Sequence, residues 1–293
     1  MKSITVFTPT FNRAFCLHQV YESLCRQTSK DFAWLIIDDG STDNTNEIVK
    51  SWISERKIDI KYVSKKNGGM HTAHNTAYDN IDTKLNVCID SDDFMPDDAI
   101  FNILELWEKK GSSTFAGIIG LDAFKDGSIV GTKIPDTITE STLSALYQKH
   151  GVSGDKKLVL RTEVVKKYPK YPEFEEERLV PLGTLYRMID EDFKCLCSNN
   201  VFCIVEYLPD GSSNNIMRQY RKSPKGFYYA RAVEMRYSKS LSFTFTRAMH
   251  LISSALFAKR LNIFYQNPNK VVTLLAVPFG LALHCYILYK SSK

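Results

Sequence analysis

A regular alternation of short apolar runs and helix-like segments over the first 110 residues is the feature that most constrains the fold of this chain. The apolar runs lie at 4–8, 32–37, 58–63 and 85–89, and the helix-like segments lie at 14–28, from Asn44 onward, at 71–80 and after Pro96. Asn44 followed by Glu47 predicts a capping box at the start of the second helix. Strands and helices in this order predict an α/β fold with a parallel sheet between helices.

Residues 114–215 have a different pattern, in which short apolar runs are broken by Gly, Pro and charged turns. The runs at 116–124, 129–133, 157–161 and 200–207 predict further strands of mixed direction. The segment 168–177 is rich in Pro, Tyr and Glu, which predicts an ordered loop over a cleft. We therefore expect residues 1–215 to form one domain, in which the second half completes the sheet of the first.

The C-terminal part of the chain, from residue 216 to residue 293, is strongly basic and is expected to be a mostly helical extension. It has 13 Lys and Arg residues and one acidic residue, Glu234, whereas residues 1–215 carry more acidic than basic residues. A basic region of this kind favours an anionic partner, which is either nucleic acid or the inner leaflet of a membrane.

An apolar stretch at 271–289 bears on the choice between these partners. It has no formally charged residue and reaches the length at which a spanning helix has to be considered. One interpretation is a helical hairpin packed on the domain, and the other is a membrane-associated segment. Pro278 and Gly280 favour a kinked, re-entrant or in-plane element over a straight span. Because this stretch fits lipid better than nucleic acid, we expect a membrane surface as partner and no nucleic acid.

The N-terminal sequence and the cysteines favour a cytoplasmic protein. The apolar residues of MKSITVFTPTFN alternate with Thr and stop at Pro9, which is not the pattern of a signal peptide. The seven cysteines show no spacing typical of metal ligands, so we expect reduced thiols, several of them in the core.

Acidic residues follow two of the predicted strands, Asp38-Asp39 after one and Asp90, Asp92 and Asp93 after another. Ligands of parallel sheets bind at the carboxyl ends of the strands, where these residues are expected to lie. Carboxylates this close repel one another unless something neutralises them, and a divalent cation prefers oxygen ligands. In extended backbone, residues i and i+2 point to the same side, so Asp90 and Asp92 are expected to face one cation. Asp93 would then point elsewhere, to a backbone amide or to a substrate.

The pair Asp38-Asp39 has two interpretations. As an uncompensated carboxylate pair at a strand end it would need a donor from a ligand. Alternatively, one of the two side chains caps the following Gly-Ser-Thr turn.

Four sequence blocks, TPTFNR (8–13), DDGSTDNT (38–45), NGGMHTAHNTA (67–77) and DSDD (90–93), resemble the family 2 glycosyltransferases in order and spacing. The resemblance covers about 215 residues. It implies the GT-A fold, a Rossmann-like mixed sheet flanked by helices, here with a C-terminal helical extension at 216–293. It also implies a nucleotide-sugar-binding half at 1–110 and an acceptor half at 111–215.

The resemblance implies a donor site in which a sugar nucleotide is held by its base, ribose and pyrophosphate. In this family the segment that matches the first block lines the base pocket, and Asp39 matches the carboxylate that accepts from the base. The glycines at 68–69 have no Cβ and would let the backbone approach the ligand. Asp92 and Asp90 would hold Mn²⁺ or Mg²⁺ against the pyrophosphate. The implied donor-binding residues are Thr8, Pro9, Thr10, Asn12, Asp38, Asp39, Asn67, Gly68, Gly69, His71, Asn75, Asp90 and Ser91.

Transfer with inversion also needs a general base, which in this family is an acidic residue of the second half. The matching segment is Glu175-Glu176-Glu177, which departs from the Glu-Asp form that is usual in the family. We expect Glu177 to be the base and Glu176 to be the second candidate, with Asp93 as a further catalytic residue near the acceptor. The other interpretation is a solvated acidic helix start, where carboxylates are favourable in any case.

The resulting expectation is a metal-dependent, inverting hexosyltransferase. It would move a sugar from a nucleotide-diphosphate donor, most simply a UDP-sugar, to a hydroxyl of a growing glycan. A lipid-linked acceptor would place it at the inner face of the cell membrane, in bacterial polysaccharide or cell-wall synthesis. A sugar-nucleotidyltransferase would need a Gly-rich basic loop after the first strand, which TPTFNRAF lacks. The remaining alternative is an inactive module that binds a sugar nucleotide or serves as a membrane scaffold.

Overall fold

The computed structural model describes residues 2–206, 216–260 and 267–291. These residues form two compact units. The first unit comprises Met1–Asn67, Ala73–Pro169 and Asp192–Glu206, and the second comprises Gly68–Thr72, Lys170–Glu191 and Tyr207–Lys293. Residues 170–191 are thus grouped with the C-terminal helices, whereas the sequence pattern divides the chain once, at residue 215.

The described residues contain eight strands and eleven helices. The strands are β1 (Ile4–Thr10), β2 (Phe32–Asp38), β3 (Ile60–Ser64), β4 (Leu85–Cys88), β5 (Phe115–Ala123), β6 (Glu140–Ser141), β7 (Lys156–Arg161) and β8 (Lys194–Ile204). The helices are α1 (Leu17–Arg26), α2 (Thr45–Glu55), α3 (Met70–Asn80), α4 (Ala99–Lys110), α5 (Leu143–Lys149), α6 (Thr162–Val165), α7 (Gly183–Asp192), α8 (Ile216–Lys222), α9 (Pro224–Arg236), α10 (Leu241–Phe257) and α11 (Lys270–Ser291).

The strands form one mixed sheet in the order β3-β2-β1-β4-β7-β5-β8-β6, all of it in the first unit. β1 pairs in parallel with β2 and β4, and β5 pairs in parallel with β8. β7 lies between β4 and β5 and runs antiparallel to both. Sequence alternation along the strands sends apolar side chains to both faces, which helices cover. The predicted α/β class, with a mixed sheet flanked by helices, is confirmed.

The core on one face of the sheet shows why these strands and helices form. Trp34 of β2 is fully buried, and Tyr21 of α1 and Trp52 of α2 stack with it, with ring centroids of Tyr21 and Trp52 4.5 Å apart. On the other face, Phe7 of β1 meets the ring of Tyr78 of α3 edge-on at 5.6 Å. Each large apolar side chain that is buried in this way contributes about 1.5–3 kcal/mol.

The position of β7, antiparallel between β4 and β5, determines which residues meet at the carboxyl edge of the sheet. Because β7 runs antiparallel to both β4 and β5, those two strands point the same way. The carboxyl ends of β1, β2, β4 and β5 therefore lie at one edge, and the amino end of β7 lies at the same edge. Lys157 lies near the start of β7, so it meets Asp122, which lies near the end of β5.

The structure corrects two local expectations, a strand at 129–133 and a cap from Asn44, and confirms a third, the reduced cysteines. The run 129–133 forms no strand and pairs only through an isolated bridge between Ala123 and Ile129. The helix after Asn44 has no side-chain cap from Asn44, because Asp43 Oδ1 instead accepts from the backbone N of Thr45 at 3.1 Å. The seven cysteines carry free thiols.

The second unit is built on the C-terminal helices. Tyr228 and Met235 of α9, Ala248 and Ile252 of α10, and Ala276 of α11 share one apolar cluster. The stretch 227–261, expected to be mostly helical, lies largely in two helices, α9 and α10, and residue 261 lies outside the described residues.

Candidate functional site

The first block continues the central strand instead of turning at its proline. Pro9 pairs in register with Ile37 of β2, and β4 stops opposite Phe7, so no partner on that side needs the missing N–H of Pro9. Thr8 Oγ1 accepts from Trp34 Nε1 at 3.0 Å, and the Thr10 carbonyl accepts from the Asp39 amide at 2.9 Å. The chain turns only after β1 has ended at Thr10, at Asn12.

Asn12 ties the loop after β1 to the loop after β2. Its φ of 54° is in the left-handed region, which Asn tolerates better than most residues. Its amide donates to Ser41 Oγ at 2.9 Å, and its Oδ1 accepts from the Thr42 amide at 2.7 Å. Asp43 Oδ2 accepts from the Ala14 amide at 3.0 Å in the same way. These bonds hold the two loops at the carboxyl edge of the sheet in one arrangement.

Both acidic residues after β2 are compensated within the chain. Asp38 is buried; its Oδ1 accepts from the Ser41 amide at 2.8 Å and its Oδ2 accepts from the Tyr62 hydroxyl. Asp39, also buried, forms an ion pair with Lys65 at 2.7 Å. Burial, together with the bond to Asp38, raises the pKa of Tyr62. The expectation of an uncompensated pair is wrong, and the alternative, in which Asp38 caps the turn, is confirmed.

The third block is divided between the two units. Asn67 belongs to the first unit, where its side-chain amide donates to the Asp39 carbonyl at 2.8 Å. Gly68 and Gly69 belong to the second unit. A Cβ on Gly69, whose φ is +92°, would lie 1.9 Å from the Arg178 carbonyl oxygen. The close approach expected of a ligand at Gly69 is therefore made by the chain's own backbone.

Three polar side chains in the first half of α3 are buried. His71, His74 and Asn75 have side chains within the fold, and His74 is fully enclosed. His74 Nδ1 lies 3.2 Å from the Tyr78 hydroxyl, and its Nε2 lies 3.6 Å from Cys88 Sγ. Its ring also meets Phe7 edge-on at 5.0 Å. His74 is thus a core residue that packs α3 onto the sheet.

The fourth block forms a turn directly after β4. The Asp93 amide donates to the Asp90 carbonyl at 3.1 Å, so residues 90–93 are not extended. The argument that i and i+2 of extended backbone share one side therefore does not apply to Asp90 and Asp92. Both residues are half-buried, whereas Ser91 and Asp93 are buried.

Asp93 is turned into the protein. Its Oδ1 accepts from the Glu206 amide at 3.2 Å, and its Oδ2 lies 3.7 Å from Cys203 Sγ. Of the two places expected for this side chain, the backbone amide is the one observed. Burial raises the pKa of Asp93 to about 7; Lys157 opposes the shift and Asp90 adds to it. The buried Asp93 carboxyl therefore gains or loses its proton near neutral pH.

A buried lysine lies among these carboxylates, and sequence reasoning missed it. Lys157 Nζ is 3.9 Å from Asp122 Oδ1, and their side chains are 13% and 3% exposed. Burial raises the pKa of the Asp122 carboxyl, and the charge of Lys157 opposes that shift. The sequence does contain a signal, since Lys156-Lys157 stands directly before an apolar run. A strand that begins at the edge where the aspartates lie brings the positive charge of its first residues to that edge.

Glu177 caps a helix of the second unit. Its two carboxylate oxygens accept from the amides of Lys225 at 3.0 Å and Gly226 at 2.9 Å, in the first turn of α9. The side chain is buried, and a carboxylate at a helix N-terminus is favourable. Glu175 and Glu176 are exposed, and Glu176 has a φ of 66°. The structure thus distinguishes these adjacent glutamates, which the sequence leaves equivalent: Glu177 is a buried helix cap, and Glu175 and Glu176 are exposed.

The predicted site residues therefore fall into two sets. The first unit holds those that lie on β1, at the end of β2, on α3 or in the loops at the carboxyl edge of the sheet: Thr8, Pro9, Thr10, Asn12, Asp38, Asp39, Asn67, Asn75, Asp90, Ser91, Asp92 and Asp93. The second unit holds Gly68, Gly69, His71, Glu176 and Glu177.

The chemistry of the acidic turn fits a cation that substrate oxygens help to hold. Within the described part of the chain, no three His, Cys, Asp or Glu side chains are grouped as a metal cage. Mg²⁺ in phosphate-transfer sites is held by one or two carboxylates, with phosphate and water completing its coordination. Asp90 and Asp92, two half-buried carboxylates at a strand end, match that donor set.

Comparison with known proteins supports the fold and the functional class. Residues 5–168 match the family described as Glycosyl transferase family 2, which is more than half of the chain. Glycosyltransferase GlyA of Streptococcus pneumoniae is 34% identical over 97 residues, or 33% of this chain and 14% of that protein. The poly(ribitol-phosphate) beta-N-acetylglucosaminyltransferase TarP of Staphylococcus aureus is 27% identical over 176 residues, or 55% of this chain and 53% of that protein. The chain thus spans only part of the length of these relatives.

Solved structures show the same fold at low sequence identity. S. aureus TarS 1-349 in complex with UDP-GlcNAc has a TM-score of 0.61 at 19% identity, covering 96% of this chain and 81% of that chain. Mannosyltransferase PcManGT from Pyrobaculum calidifontis, in complex with GDP-Man and Mn²⁺, has a TM-score of 0.57 at 16% identity, covering 99% and 83%.

Proposed function

Because this chain belongs to glycosyl transferase family 2, we propose that it transfers a sugar, with inversion, from a UDP-sugar to a hydroxyl of a growing glycan. The observation that carries the proposal is the acidic turn 90–93 at the carboxyl edge of the sheet. Two half-buried carboxylates there lie at the end of β4, where ligands of such sheets bind.

We place the donor diphosphate at this turn, with Asp90 and Asp92 as the protein ligands of Mn²⁺ or Mg²⁺. A bound cation would neutralise the diphosphate as it leaves with the nucleoside. Asp93 supports the turn from inside through the Glu206 amide. Lys157 keeps the surrounding acidic cluster near charge balance, so that the turn keeps its shape before the donor arrives.

The nucleoside would lie along the loops after β1 and β2. Asn12 and Asp43 hold these loops together, which fixes the edge against which a flat base can pack. Asp39 remains the residue proposed to accept a hydrogen bond from the nucleotide base. Its ion pair with Lys65 fixes the position of its side chain. Asn67, Asn75 and Ser91 are proposed to contact the donor from neighbouring loops and from α3.

For the general base we propose Glu176, with Glu177 as the residue that holds it in place. A general base needs an oxygen that can reach the acceptor hydroxyl. Glu176 is exposed, whereas both oxygens of Glu177 accept backbone amides of α9.

We propose that the acceptor is a glycan of the cell surface, lipid-linked, so that the enzyme works at the cytoplasmic face of the membrane. TarP, by its name, glycosylates a poly(ribitol-phosphate), and TarS was solved with UDP-GlcNAc. These relatives support a UDP-linked hexose or hexosamine as the donor and a polymer as the acceptor.

A donor-hydrolysis screen with UDP-, GDP- and dTDP-sugars, with and without Mn²⁺, tests the reaction. We expect turnover of a UDP-sugar that a chelator abolishes. Tight UDP-sugar binding without turnover in the presence of candidate acceptors would instead identify an inactive binding module.

A pair of variants tests the assignment of the base. Glu176→Gln should lower transfer at least about 100-fold while UDP affinity is kept. Glu177→Gln should lower the thermal midpoint because it weakens the cap of α9. Loss of transfer in Glu177→Gln at an unchanged thermal midpoint would return the base to Glu177.

A further inference from the structure

Helix α11 is a long apolar helix with charge only at its ends. It runs without interruption from Lys270 to Ser291, through Pro278, and has no charged residue between Lys270 and Lys290. At 1.5 Å per residue, its 22 residues span about 33 Å. By length and composition it is the one helix within the described residues that could cross a membrane.

Only a narrow stripe of α11 is buried. Thr273, Ala276, Gly280 and Ile287 are buried, and a Cβ on Gly280 would lie 2.7 Å from Ile252 Cβ of α10. Small residues on this stripe therefore let α11 lie close against α10. The rest of its surface is exposed and apolar, through the side chains of Val271, Leu274, Leu275, Phe279, Leu281, Tyr286, Leu288 and Tyr289. An apolar surface of this extent is unusual for a protein that is soluble and monomeric.

Polarity rises from α11 through α10 to α9. Phe279 of α11 packs on Phe245 of α10, with ring centroids 5.5 Å apart. On α10, Arg247 Nε lies 3.2 Å from the Glu234 carboxylate of α9. Glu234 is also bonded to Arg231 of α9 at 2.8 Å. α11 itself has no polar face, and the charged residues on that side of it are supplied by α10 and α9.

This layering argues against a spanning orientation. Packed helices lie about 8–10 Å apart, so a spanning α11 would bring α10 and Arg247 into the hydrocarbon beside it. A charged group at that depth costs at least about 2.5–3.5 kcal/mol. A helix lying in the membrane plane buries only its outer apolar side, about 5–10 Å deep, and leaves the charged layer in water.

Exposed basic residues lie on the same helices as the apolar surface. Lys270 and Lys290 stand at the two ends of α11 and are exposed. Arg221 Nη1 of α8 donates to Ser291 Oγ at 3.1 Å, which brings the basic end of α8 to the end of α11. Lys222 of α8 and Lys259, which follows α10, are also exposed. Basic residues beside an apolar surface match anionic lipid headgroups.

We propose that α11 lies in the plane of an anionic membrane surface, with its exposed apolar side among the acyl chains and the basic residues at the headgroups. The occupant of this surface is lipid, and the helix does not cross the bilayer. The proposal rests on the second unit alone and does not depend on the transfer reaction.

Vesicle flotation of the full chain tests the contact with lipid. We expect binding to vesicles of phosphatidylcholine and phosphatidylglycerol, weaker binding to pure phosphatidylcholine, and weaker binding at high salt. The triple variant V271Q/L274Q/L275Q should partition at least about tenfold less, because three exposed apolar side chains are lost. The matched control I53Q/F101Q removes exposed apolar side chains of α2 and α4 and should bind as the unsubstituted chain does.

Unchanged binding of the triple variant, with a thermal midpoint that shows it is folded, would overturn the proposal. So would a dimer in solution that the triple substitution dissociates and that does not bind vesicles, since the surface would then belong to a second copy. Equal loss of binding in I53Q/F101Q would show that the effect is not specific to α11.

Thiol labelling distinguishes the in-plane from the spanning orientation. Lys270→Cys and Lys290→Cys are made separately in a Cys285→Ser background, since Cys285 is exposed on the same helix. Inverted inner-membrane vesicles are treated with a membrane-impermeant maleimide, and the peptide that carries each cysteine is weighed. We expect both positions to react from outside. Protection of one position until detergent is added would show that α11 crosses the bilayer and would overturn the in-plane assignment.

Discussion

The acidic stretches at 38–39 and 90–93 lie at the same edge of the same sheet, yet their surroundings are opposite. Each carboxylate of the first stretch has a partner within the chain: Ser41 and Tyr62 for Asp38, and Lys65 for Asp39. The second stretch keeps Asp90 and Asp92 half-buried, and its buried Asp93 has a raised pKa. The first stretch thus fixes loops of the edge, whereas for the second we propose that Asp90 and Asp92 receive a cation. The neighbouring groups of each stretch account for this difference.

The largest expected effect comes from the lysine that balances the second stretch. Lys157→Met should lower the free energy of unfolding by about 3–5 kcal/mol, because Asp122 is left as an unpaired buried charge. The double variant K157M/D122N should recover much of this loss, since it removes both members of the pair. Urea unfolding measures both. Near-native stability of K157M would mean that the carboxylates near Lys157, those of Asp122, Asp90 and Asp93, need no compensation, and the comparison would fail.

The next effect separates the two stretches by activity. Asp92→Asn should lower donor turnover in Mn²⁺ about 100-fold, or about 2.7 kcal/mol, with little change in stability, because it removes a proposed cation ligand. Asp98→Asn is the matched control: the same change at an exposed aspartate just before α4. Turnover in Asp92→Asn within threefold of the control would contradict the role given to the acidic turn.

The pH dependence of stability should reflect the raised pKa of Asp93. Its folded pKa of about 7 exceeds the unfolded value of about 3.9, so the folded state holds an extra proton between these values. Asp93 therefore contributes a loss of stability as the pH rises from about 4 to about 7, of at most about 1.4 kcal/mol per pH unit. Asp93→Asn should flatten the stability curve in that window, as measured by urea unfolding at several pH values. An unchanged slope would show that Asp93 is already ionised below this range.

The smallest effect tests the first stretch. Tyr62→Phe should lower the free energy of unfolding by about 1–2 kcal/mol, because Asp38 loses one buried hydrogen bond. Donor turnover should fall less than threefold at a temperature where the variant is folded. A turnover loss as large as that of Asp92→Asn would assign Asp38 to ligand binding and erase the contrast.

Sequence alone predicted most of the first half of the fold, because strand and helix periods there are regular and chain neighbours are mostly spatial neighbours. It did not predict that β7 inserts between β4 and β5, since pairing across about 75 residues leaves no local pattern. For the same reason Lys157 and Asp122 were missed, and the partners of Asp38 and Asp39 were not anticipated. The short run at 129–133 was misread because β propensity depends on the neighbours a strand finds.

The glutamates at 175–177 show a second limit of sequence reasoning. Their order along the chain indicates an acidic segment but not which side chain turns inward. That choice depends on the amides of Lys225 and Gly226, almost fifty residues away.

The position of β7 has a consequence for how the protein is made. β4 is synthesised some seventy residues before the strand that fills the gap beside it. Until residue 161 has left the ribosome, the emerging chain carries two open strand edges and a set of aspartates with no lysine to balance them. The first half of the sheet therefore cannot fold completely before the rest is made, and a chain arrested near residue 125 should be cut rapidly by proteases that spare the folded protein.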